Sequence, residues 1–173
     1  MILGIRAARA GDSSTLSAIE RRSGERFREV GLDDIAEDEP TAPEVLTRYA
    51  IEGRSWVAVD DEDRPVGFVV VDDIDGCAHI EQISVDPAHQ GRGFGRALVE
   101  QVRAWAERTA RPAITLTTFA EVPWNAPLYA HLGFVVIEDA ELGPELRGVN
   151  DAESARGVDE KMRRVCMKLA LTD

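Results

Sequence analysis

One segment constrains the fold of the chain more than any other: an apolar run, a glycine-rich turn and a helical pattern in immediate succession. Residues 78–85 are mostly apolar and include β-branched side chains, which predicts a strand, and Asp86-Pro87 ends it. Three glycines follow between positions 91 and 95, and apolar side chains then recur with helical spacing over residues 92–108. The segment therefore predicts a strand, a tight turn and a helix in that order.

The composition of this turn is typical of a phosphate site. Free main-chain N–H groups at the start of a helix point toward a bound anion, and the helix dipole favours negative charge there. Glycine lacks the Cβ that would keep these N–H groups away from an oxygen. A dinucleotide fingerprint is excluded because Arg96 holds the place of its third glycine, and the Gly-Lys-Ser or Gly-Lys-Thr of a Walker loop does not occur in the chain. A flexible turn that binds nothing is the alternative interpretation.

The remaining periodicity predicts an α+β fold, in a single domain that spans residues 1–173. Strands outnumber helices and begin as a meander, which favours a mixed, mostly antiparallel sheet of about six to seven strands flanked by about four helices. Residues 138–161 are interpreted as a long polar connection. The predicted strands lie at 2–7, 56–59, 66–71, 78–85, 114–117, 134–137 and 165–171, and the predicted helices end near residues 27, 53, 108 and 132.

Composition narrows the class of protein and its partners. The apolar fraction of 44% and the charged fraction of 30% are those of a globular protein, and the formal net charge is -12. This charge argues against nucleic acid as a partner, because nucleic acid is bound largely through Lys and Arg, and it suits a cationic substrate. No segment has the length of a membrane-spanning helix and the first residues resemble no leader, so we expect a cytoplasmic protein with no membrane partner. Cys77 and Cys166 are predicted to be buried thiols and not a disulfide.

These motifs resemble those of the Gcn5-related N-acetyltransferase (GNAT) superfamily. The pyrophosphate motif of that family is Gln or Arg, two residues, Gly, one residue, then Gly or Ala, and Gln90, Gly93 and Gly95 satisfy it. The run Ile83-Ser84-Val85-Asp86-Pro87 is similar to the end of the family's fourth strand. The resemblance implies a GNAT-like fold and acetyl-CoA as the co-substrate.

The resemblance also implies how the cofactor is bound. Main-chain N–H groups between Gly91 and Arg96 would hold the pyrophosphate, and the strand before the turn would bond the pantetheine arm as if the arm were an added strand. The guanidinium groups of Arg92 and Arg96 are expected to meet cofactor phosphates, although arginines on exposed helix faces are commonly only solvated. The residues predicted to bind the cofactor are Ile83, Ser84, Val85, Gln90, Gly91, Arg92, Gly93, Phe94, Gly95, Arg96 and Asn125.

Glu81 is the candidate base for thioester aminolysis, a reaction that needs a neutral amine and a proton for the departing thiolate. In a regular strand Glu81 shares a face with Ile83 and Val85, so it is predicted to take the amine proton, directly or through water. His79 shares that face and is the alternative base. A surface or ion-pair role for Glu81 and a structural role for His79 are the competing interpretations. The three histidines do not show the spacing of metal ligands, so no metal is predicted.

Tyr129 is the candidate acid. It lies in a segment similar to the closing segment of the family, which is Leu-Tyr, three residues, then Gly-Phe. The resemblance implies that the Tyr129 hydroxyl faces the sulfur and protonates the thiolate; the ordinary role of a tyrosine in a short amphipathic helix is core packing. Many relatives place Asn seven residues before this tyrosine, where this chain has Val122. Asn125 either binds the pantetheine from a displaced position or caps the helix.

The sequence thus predicts an N-acetyltransferase that transfers the acetyl group of acetyl-CoA to a primary amine of a small molecule or a protein. A non-catalytic acyl-CoA-binding module on the same fold is the alternative, because a fold does not by itself establish a reaction. Residues 25–43 and 138–161 are expected to select the acceptor. A homodimer that forms through the last strand is left open.

Overall fold

A seven-stranded mixed sheet organises the protein in its computed structural model, which describes residues 4–156 and 163–171. The strands are β1 (Gly4–Ala7), β2 (Ser55–Val59), β3 (Pro65–Ile74), β4 (Cys77–Val85), β5 (Ala113–Phe119), β6 (Val135–Val136) and β7 (Arg164–Ala170). Their order across the sheet is β1-β2-β3-β4-β5-β7-β6. β4 and β5 are parallel, whereas β2 is antiparallel to β1 and β3, and β7 is antiparallel to β5 and β6. The predicted α+β class with a mixed, mostly antiparallel sheet is confirmed.

Six α-helices lie within the described residues, where about four were predicted. They are α1 (Ser13–Gly24), α2 (Asp33–Ala36), α3 (Pro43–Ile51), α4 (Phe94–Arg108), α5 (Ala126–His131) and α6 (Pro144–Ser154). The two helices that were not predicted are α2, a single turn, and α6. Over residues 4–156 and 163–171, no helix combines the length and the apolar composition that crossing a bilayer requires.

The interpretation of residues 138–161 as a polar connection was wrong where α6 forms; residues 157–161 lie outside the described residues. The first turn of α6 is capped by a side chain that is distant in sequence. The carboxylate of Asp75, in the turn between β3 and β4, accepts hydrogen bonds from the N–H groups of Glu145 at 3.1 Å and Leu146 at 2.9 Å. A Cβ on Gly143 would collide with this carboxylate, so a larger residue before the helix would displace the Asp75 side chain that caps it.

Contacts divide the chain into two compact units, and the prediction of a single domain stays a prediction. The first unit comprises Met1–Val71 and Glu81–Val102, and the second comprises Asp72–Ile80 and Arg103–Asp173. In the first unit, α1 and α3 pack against strands β2 and β3. Leu16, Leu46 and Phe68 are at most 1% exposed there and form the centre of an apolar core.

The core of the second unit is built around β7 and α6. Cys166 and Leu146 are buried there together with Ile137 and Leu142. Cys77 and Cys166 are free thiols, as predicted, but only Cys166 is buried.

One carboxylate of the first unit, that of Glu20, is largely buried, and among the described residues only one of its two oxygens accepts a hydrogen bond. Glu20 of α1 accepts a hydrogen bond from the Thr41 hydroxyl at 3.2 Å through Oε1. Its Oε2 is buried and has no hydrogen-bond partner among residues 4–156 and 163–171. Burial raises the pKa of Glu20, and the hydrogen bonds from Thr41 oppose this only in part. The charged form of Glu20 is therefore disfavoured in the folded protein.

We expect Glu20→Gln to stabilise the protein near neutral pH by about 1 kcal/mol, or about 2–4 °C in melting temperature. Because its pKa is raised, Glu20 binds a proton more tightly in the folded protein than in the unfolded chain. The contribution of Glu20 to the stability of the wild type therefore falls as pH rises from the ordinary glutamate pKa through the folded value, and stays lower above it. Thermal melts from about pH 4 to pH 8 should show an advantage of the variant that grows with pH.

Glu100→Gln, on the exposed surface of α4, is the matched control for this experiment. It removes the same charge without relieving a buried group, so its effect should not grow with pH. Equal pH dependence in the two variants would contradict this account of Glu20.

Candidate active site

The predicted turn connects the end of β4 to the start of α4 through two residues in the left-handed region. Gly91 has φ +73° and Gly93 has φ +87°, and side chains other than glycine rarely adopt such values. The N–H of Ala97 donates to the carbonyl of Gly93 at 3.0 Å and opens the helical hydrogen-bond series. Glycine at two of the three predicted positions is therefore required by the conformation of the backbone.

Six consecutive main-chain N–H groups of this turn lack an acceptor. Within the described part of the chain, no hydrogen bond is donated by the N–H groups of residues 91–96. Unpaired donors in the first turn of a helix are the arrangement that binds a phosphate. The third glycine, Gly95, is not required by sterics. A Cβ at this position would lie 3.9 Å from Cγ2 of Val85, which is an ordinary van der Waals contact. Alanine fits at that position, in agreement with the Gly or Ala of the motif.

Two predicted cofactor residues have side chains that serve the turn itself. Gln90 donates through Nε2 to the carbonyl of Val85 at 3.1 Å and accepts through Oε1 from Arg26 at 3.4 Å. Phe94 is 2% exposed and contacts the ring of His89 edge to face, with 6.2 Å between ring centroids. The carboxamide of Gln90 and the ring of Phe94 are therefore engaged within the turn, and the main-chain N–H of Phe94 is available to a ligand.

Arg92 and Arg96 are the charged side chains of the turn. Both are exposed, and neither forms an ion pair with another of the described residues. In a chain of net charge -12, two arginines that are not paired with carboxylates leave local positive charge next to the unpaired N–H groups. This charge favours an anionic ligand.

The end of β4 supplies a main-chain edge in the first unit. Residues 81–85 lie beyond the pairs that β4 makes with β5, which are Ala78–Ile80 with Ile114–Leu116, so one row of their main-chain groups is available to an extended ligand. A Cβ on Gly67 of β3 would lie 3.0 Å from the carbonyl oxygen of Ser84, which shows how closely β3 backs this segment. Ser84 is 5% exposed, and its hydroxyl accepts a hydrogen bond from Gln82 at 2.8 Å.

The two candidate bases have different environments. Glu81 is exposed and engaged in at least one interaction. His79, in the second unit, is 1% exposed, and its Nδ1 lies 3.0 Å from Oγ1 of Thr115 on β5. Burial lowers the pKa of His79 despite the opposing charges of Glu153 and Asp72, so its ring is neutral near pH 7.

The predicted acid, Tyr129, is held by a helix-terminating motif in the second unit. After α5 the N–H of Phe134 donates to the carbonyl of Tyr129 at 3.0 Å, and the N–H of Gly133 donates to the carbonyl of Ala130 at 3.1 Å. Gly133 has φ +95°, as the left-handed residue of such a cap requires. The cap brings Phe134 against Tyr129, with 5.7 Å between ring centroids. The Leu-Tyr, three residues, Gly-Phe spacing therefore has a structural cause in this chain.

The hydroxyl of Tyr129 keeps its proton over the whole physiological range. The side chain as a whole retains partial exposure, yet burial of the phenol raises its pKa to about 12. No hydrogen bond to this hydroxyl is found among residues 4–156 and 163–171. The group is therefore a neutral donor that is not engaged elsewhere in the described residues.

Asn125 does not cap α5 with its side chain. Its Oδ1 accepts a hydrogen bond from the hydroxyl of Thr118 at 2.7 Å, and its carbonyl accepts from the N–H of Tyr129 at 3.1 Å. Val122, at the position where many relatives have asparagine, is 3% exposed. The carboxamide of Asn125 is thus tied to the end of β5, and its role toward a ligand stays a prediction.

Sequence reasoning missed a contact that supports the turn. Arg22 of α1 forms an ion pair of 2.6 Å with Asp86, the residue that follows β4. The two residues are 64 positions apart, so neither periodicity nor motif spacing relates them.

Comparison with known proteins identifies the family. The sequence model of the Acetyltransferase (GNAT) family matches residues 21–134, which is more than half of the chain. The chain belongs to this family and is an acetyltransferase. It is similar to the peptidyl-lysine N-acetyltransferase YjaB of Salmonella typhimurium, with 29% identity over 142 residues that cover 82% of this chain and 90% of that protein. YjaB of Escherichia coli is 29% identical over 143 residues, covering 82% of this chain and 88% of the relative.

Solved structures share the fold at lower identity. The PaiA N-acetyltransferase of Thermoplasma acidophilum, in complex with coenzyme A, has a TM-score of 0.70 and 16% identity over 99% of this chain and 100% of that chain. The solution structure of the apo form of YjaB from Escherichia coli has a TM-score of 0.63 and 21% identity over 97% of each chain. The predicted GNAT fold is therefore confirmed.

Proposed function

We propose that the protein transfers the acetyl group of acetyl-CoA to a primary amine, and that the acceptor is a lysine side chain of a protein or peptide. The acceptor class is supported by the two relatives named peptidyl-lysine N-acetyltransferase, which align over 82% of the chain. The observation that carries the proposal is the row of unpaired N–H groups of residues 91–96 at the start of α4. An acyl-CoA carries a pyrophosphate that matches these donors.

In this proposal the first unit binds acetyl-CoA. The N–H groups of residues 91–96 donate to the pyrophosphate, and Arg92 and Arg96 add charge-assisted contacts to phosphate oxygens. The edge of β4 at residues 83–85 pairs with the amide groups of the pantetheine arm. Asn125 belongs to the second unit and stays a predicted ligand residue through Nδ2, since its Oδ1 is already bonded. The coenzyme A complex of the similar PaiA protein supports this choice of co-substrate.

The proposal assigns Tyr129 as the donor of the proton that the departing thiolate takes up. With its pKa near 12, the phenol is a weaker acid than a free thiol, whose pKa is about 8.5, so in water this transfer is unfavourable. Desolvation raises the pKa of a thiol for the same reason that it raises the pKa of the phenol. A thiolate placed next to Tyr129 is therefore more basic than in water, and the two groups become better matched.

Glu81 is assigned as the base that removes the amine proton, directly or through water. It is exposed, whereas His79 is 1% exposed and bonded through Nδ1 to Thr115. An incoming amine can reach this exposed carboxylate, in the middle of β4, without rearranging the sheet. His79 is accordingly assigned a structural role.

The proposal is tested by thiol release from acetyl-CoA in the presence of lysine peptides, together with mass spectrometry of the peptides. We expect release that depends on the peptide, one added acetyl group, and no reaction when lysine is replaced by arginine. Acetyl-CoA at about 100 times its Kd should also raise the melting temperature by about 5–10 °C, because it binds only the folded state.

Other outcomes of this experiment replace parts of the proposal. Turnover of polyamines or small amines but not of peptides would overturn the acceptor class and leave the acyl transfer. A melting-temperature shift without turnover of any amine would favour a non-catalytic acyl-CoA-binding module. If acetyl-CoA neither shifts the melting temperature nor is turned over, the proposed cofactor site is wrong.

A further inference from the structure

The first helix makes a direct ion pair with the segment that precedes the glycine turn. Nε and Nη2 of Arg22 both donate to Oδ2 of Asp86, at 2.8 Å and 2.6 Å. The side chain of Asp86 is 16% exposed and that of Arg22 is 53% exposed, so the carboxylate is the more buried partner. Oδ1 of Asp86 accepts from the N–H of Ala88 at 3.0 Å, which fixes the turn after β4.

A second arginine reaches the other end of the same segment. Arg26 follows Arg22 by four residues, the spacing that places two side chains on one side of a helical segment. Its Nη1 lies 3.4 Å from Oε1 of Gln90, the residue immediately before Gly91. Gln90 in turn donates through Nε2 to the carbonyl of Val85, so both ends of its carboxamide are in use.

The two contacts hold the segment Asp86–Gln90 at its first and last residues. Partial burial on its own raises the pKa of Asp86, but the hydrogen bonds from Arg22 and Ala88 outweigh it and lower that pKa. Asp86 is therefore ionised near neutral pH and the pair with Arg22 persists there. The unpaired N–H groups begin with the very next residue after this segment.

We propose that Arg22 and Arg26 are positioning residues for the cofactor turn. They fix Asp86–Gln90 against α1 and the turn that follows it, and thereby keep residues 91–96 in the conformation that presents their N–H groups to a pyrophosphate. Neither arginine needs to touch the ligand for this role. The inference rests on the proposed function, because it assumes that the turn binds acetyl-CoA.

The test compares Arg22→Ala and the double variant Arg22→Ala/Arg26→Ala with Arg21→Ala. Arg21 lies next to Arg22 on α1 and pairs with Glu39, away from the turn, so its replacement removes the same charge from the same helix. We expect Arg22→Ala to raise the Kd and the KM for acetyl-CoA about three- to tenfold, and the double variant to raise them further. The value of kcat at saturating acetyl-CoA should change less than twofold, and Arg21→Ala should match the wild type.

Two further measurements separate positioning from other roles of these arginines. A long-range attraction of the ligand by Arg22 would be screened, so the affinity lost in Arg22→Ala should persist at about 0.5 M salt if the role is positioning. Arg22→Lys should restore affinity only in part, because an ammonium cannot make the two-point contact of a guanidinium. The melting temperature of each ligand-free variant reports any general loss of stability.

The outcomes distinguish this inference from the function on which it rests. If the wild type binds acetyl-CoA and Arg22→Ala binds it as tightly as Arg21→Ala does, the positioning role is overturned and the proposed function stands. A loss that disappears at high salt also overturns positioning. If the wild type does not bind acetyl-CoA at all, the proposed cofactor site fails and the positioning role fails with it.

Discussion

Tyr129→Phe is expected to lower kcat by about 100- to 1000-fold while leaving the Kd for acetyl-CoA within about twofold of the wild type. The substitution keeps the ring that packs edge to face on Phe134 and removes only the hydroxyl. Because burial raises the pKa of this phenol to about 12, the wild type holds the proton throughout the working range. The ratio of the two rates should therefore be the same at about pH 7 and pH 9, measured as thiol release at saturating peptide.

Tyr49→Phe provides the matched control, since Tyr49 is the other tyrosine of the chain. Tyr49 lies on α3, where the guanidinium of Arg54 stacks 5.0 Å above the centre of its ring. We expect this variant to retain kcat. Wild-type kcat in Tyr129→Phe, or a fall in kcat matched by an equal loss of acetyl-CoA affinity, would refute the role of Tyr129 as the acid.

Gly93→Ala is expected to weaken acetyl-CoA binding by about fivefold to thirtyfold. An alanine at φ +87° carries a conformational cost of about 1–2 kcal/mol, and relief of this strain would rotate the unpaired N–H groups of the turn. Isothermal titration with coenzyme A measures the loss directly. The melting temperature without ligand should fall by only a few degrees, because the turn is exposed.

Gly95→Ala is the control for Gly93→Ala. Gly95 is not in the left-handed region, and the added Cβ would meet Cγ2 of Val85 at 3.9 Å, so binding should stay within about threefold of the wild type. Equal losses in the two variants would show that bulk in the turn, and not the backbone conformation at Gly93, decides affinity. Wild-type binding by Gly93→Ala would remove the turn from the cofactor site.

The parts of the site that are local in sequence could be predicted because their causes are local. The strand and the helix of residues 78–108 follow from the regular spacing of apolar side chains. The turn between them follows from the glycines that the backbone conformation requires at 91 and 93. The spacing around Tyr129 could also be recognised, since Gly133 and Phe134 complete a helix cap within a few residues. Such features leave a signature in a single sequence.

The parts that depend on distant contacts left no such signature. Alternation along a strand placed His79 and Glu81 on one face, so Glu81 was the candidate base and His79 the alternative. In the structure they differ because Ala78–Ile80 pair with Ile114–Leu116 of β5, which buries His79, whereas Glu81 is exposed. The support of the turn by Arg22 was invisible for the same reason, since Asp86 is 64 residues away.

The cap on α6 has a consequence for the order in which the chain acquires its structure. A helix of eleven residues is too short to persist alone in water. The first N–H groups of α6 donate to the carboxylate of Asp75, which lies in the turn between β3 and β4. The segment Pro144–Ser154 therefore gains the capping energy, about 1 kcal/mol, only after that turn has formed. We therefore expect α6 to form late in folding, and during synthesis Asp75 leaves the ribosome about 70 residues before the helix that it caps.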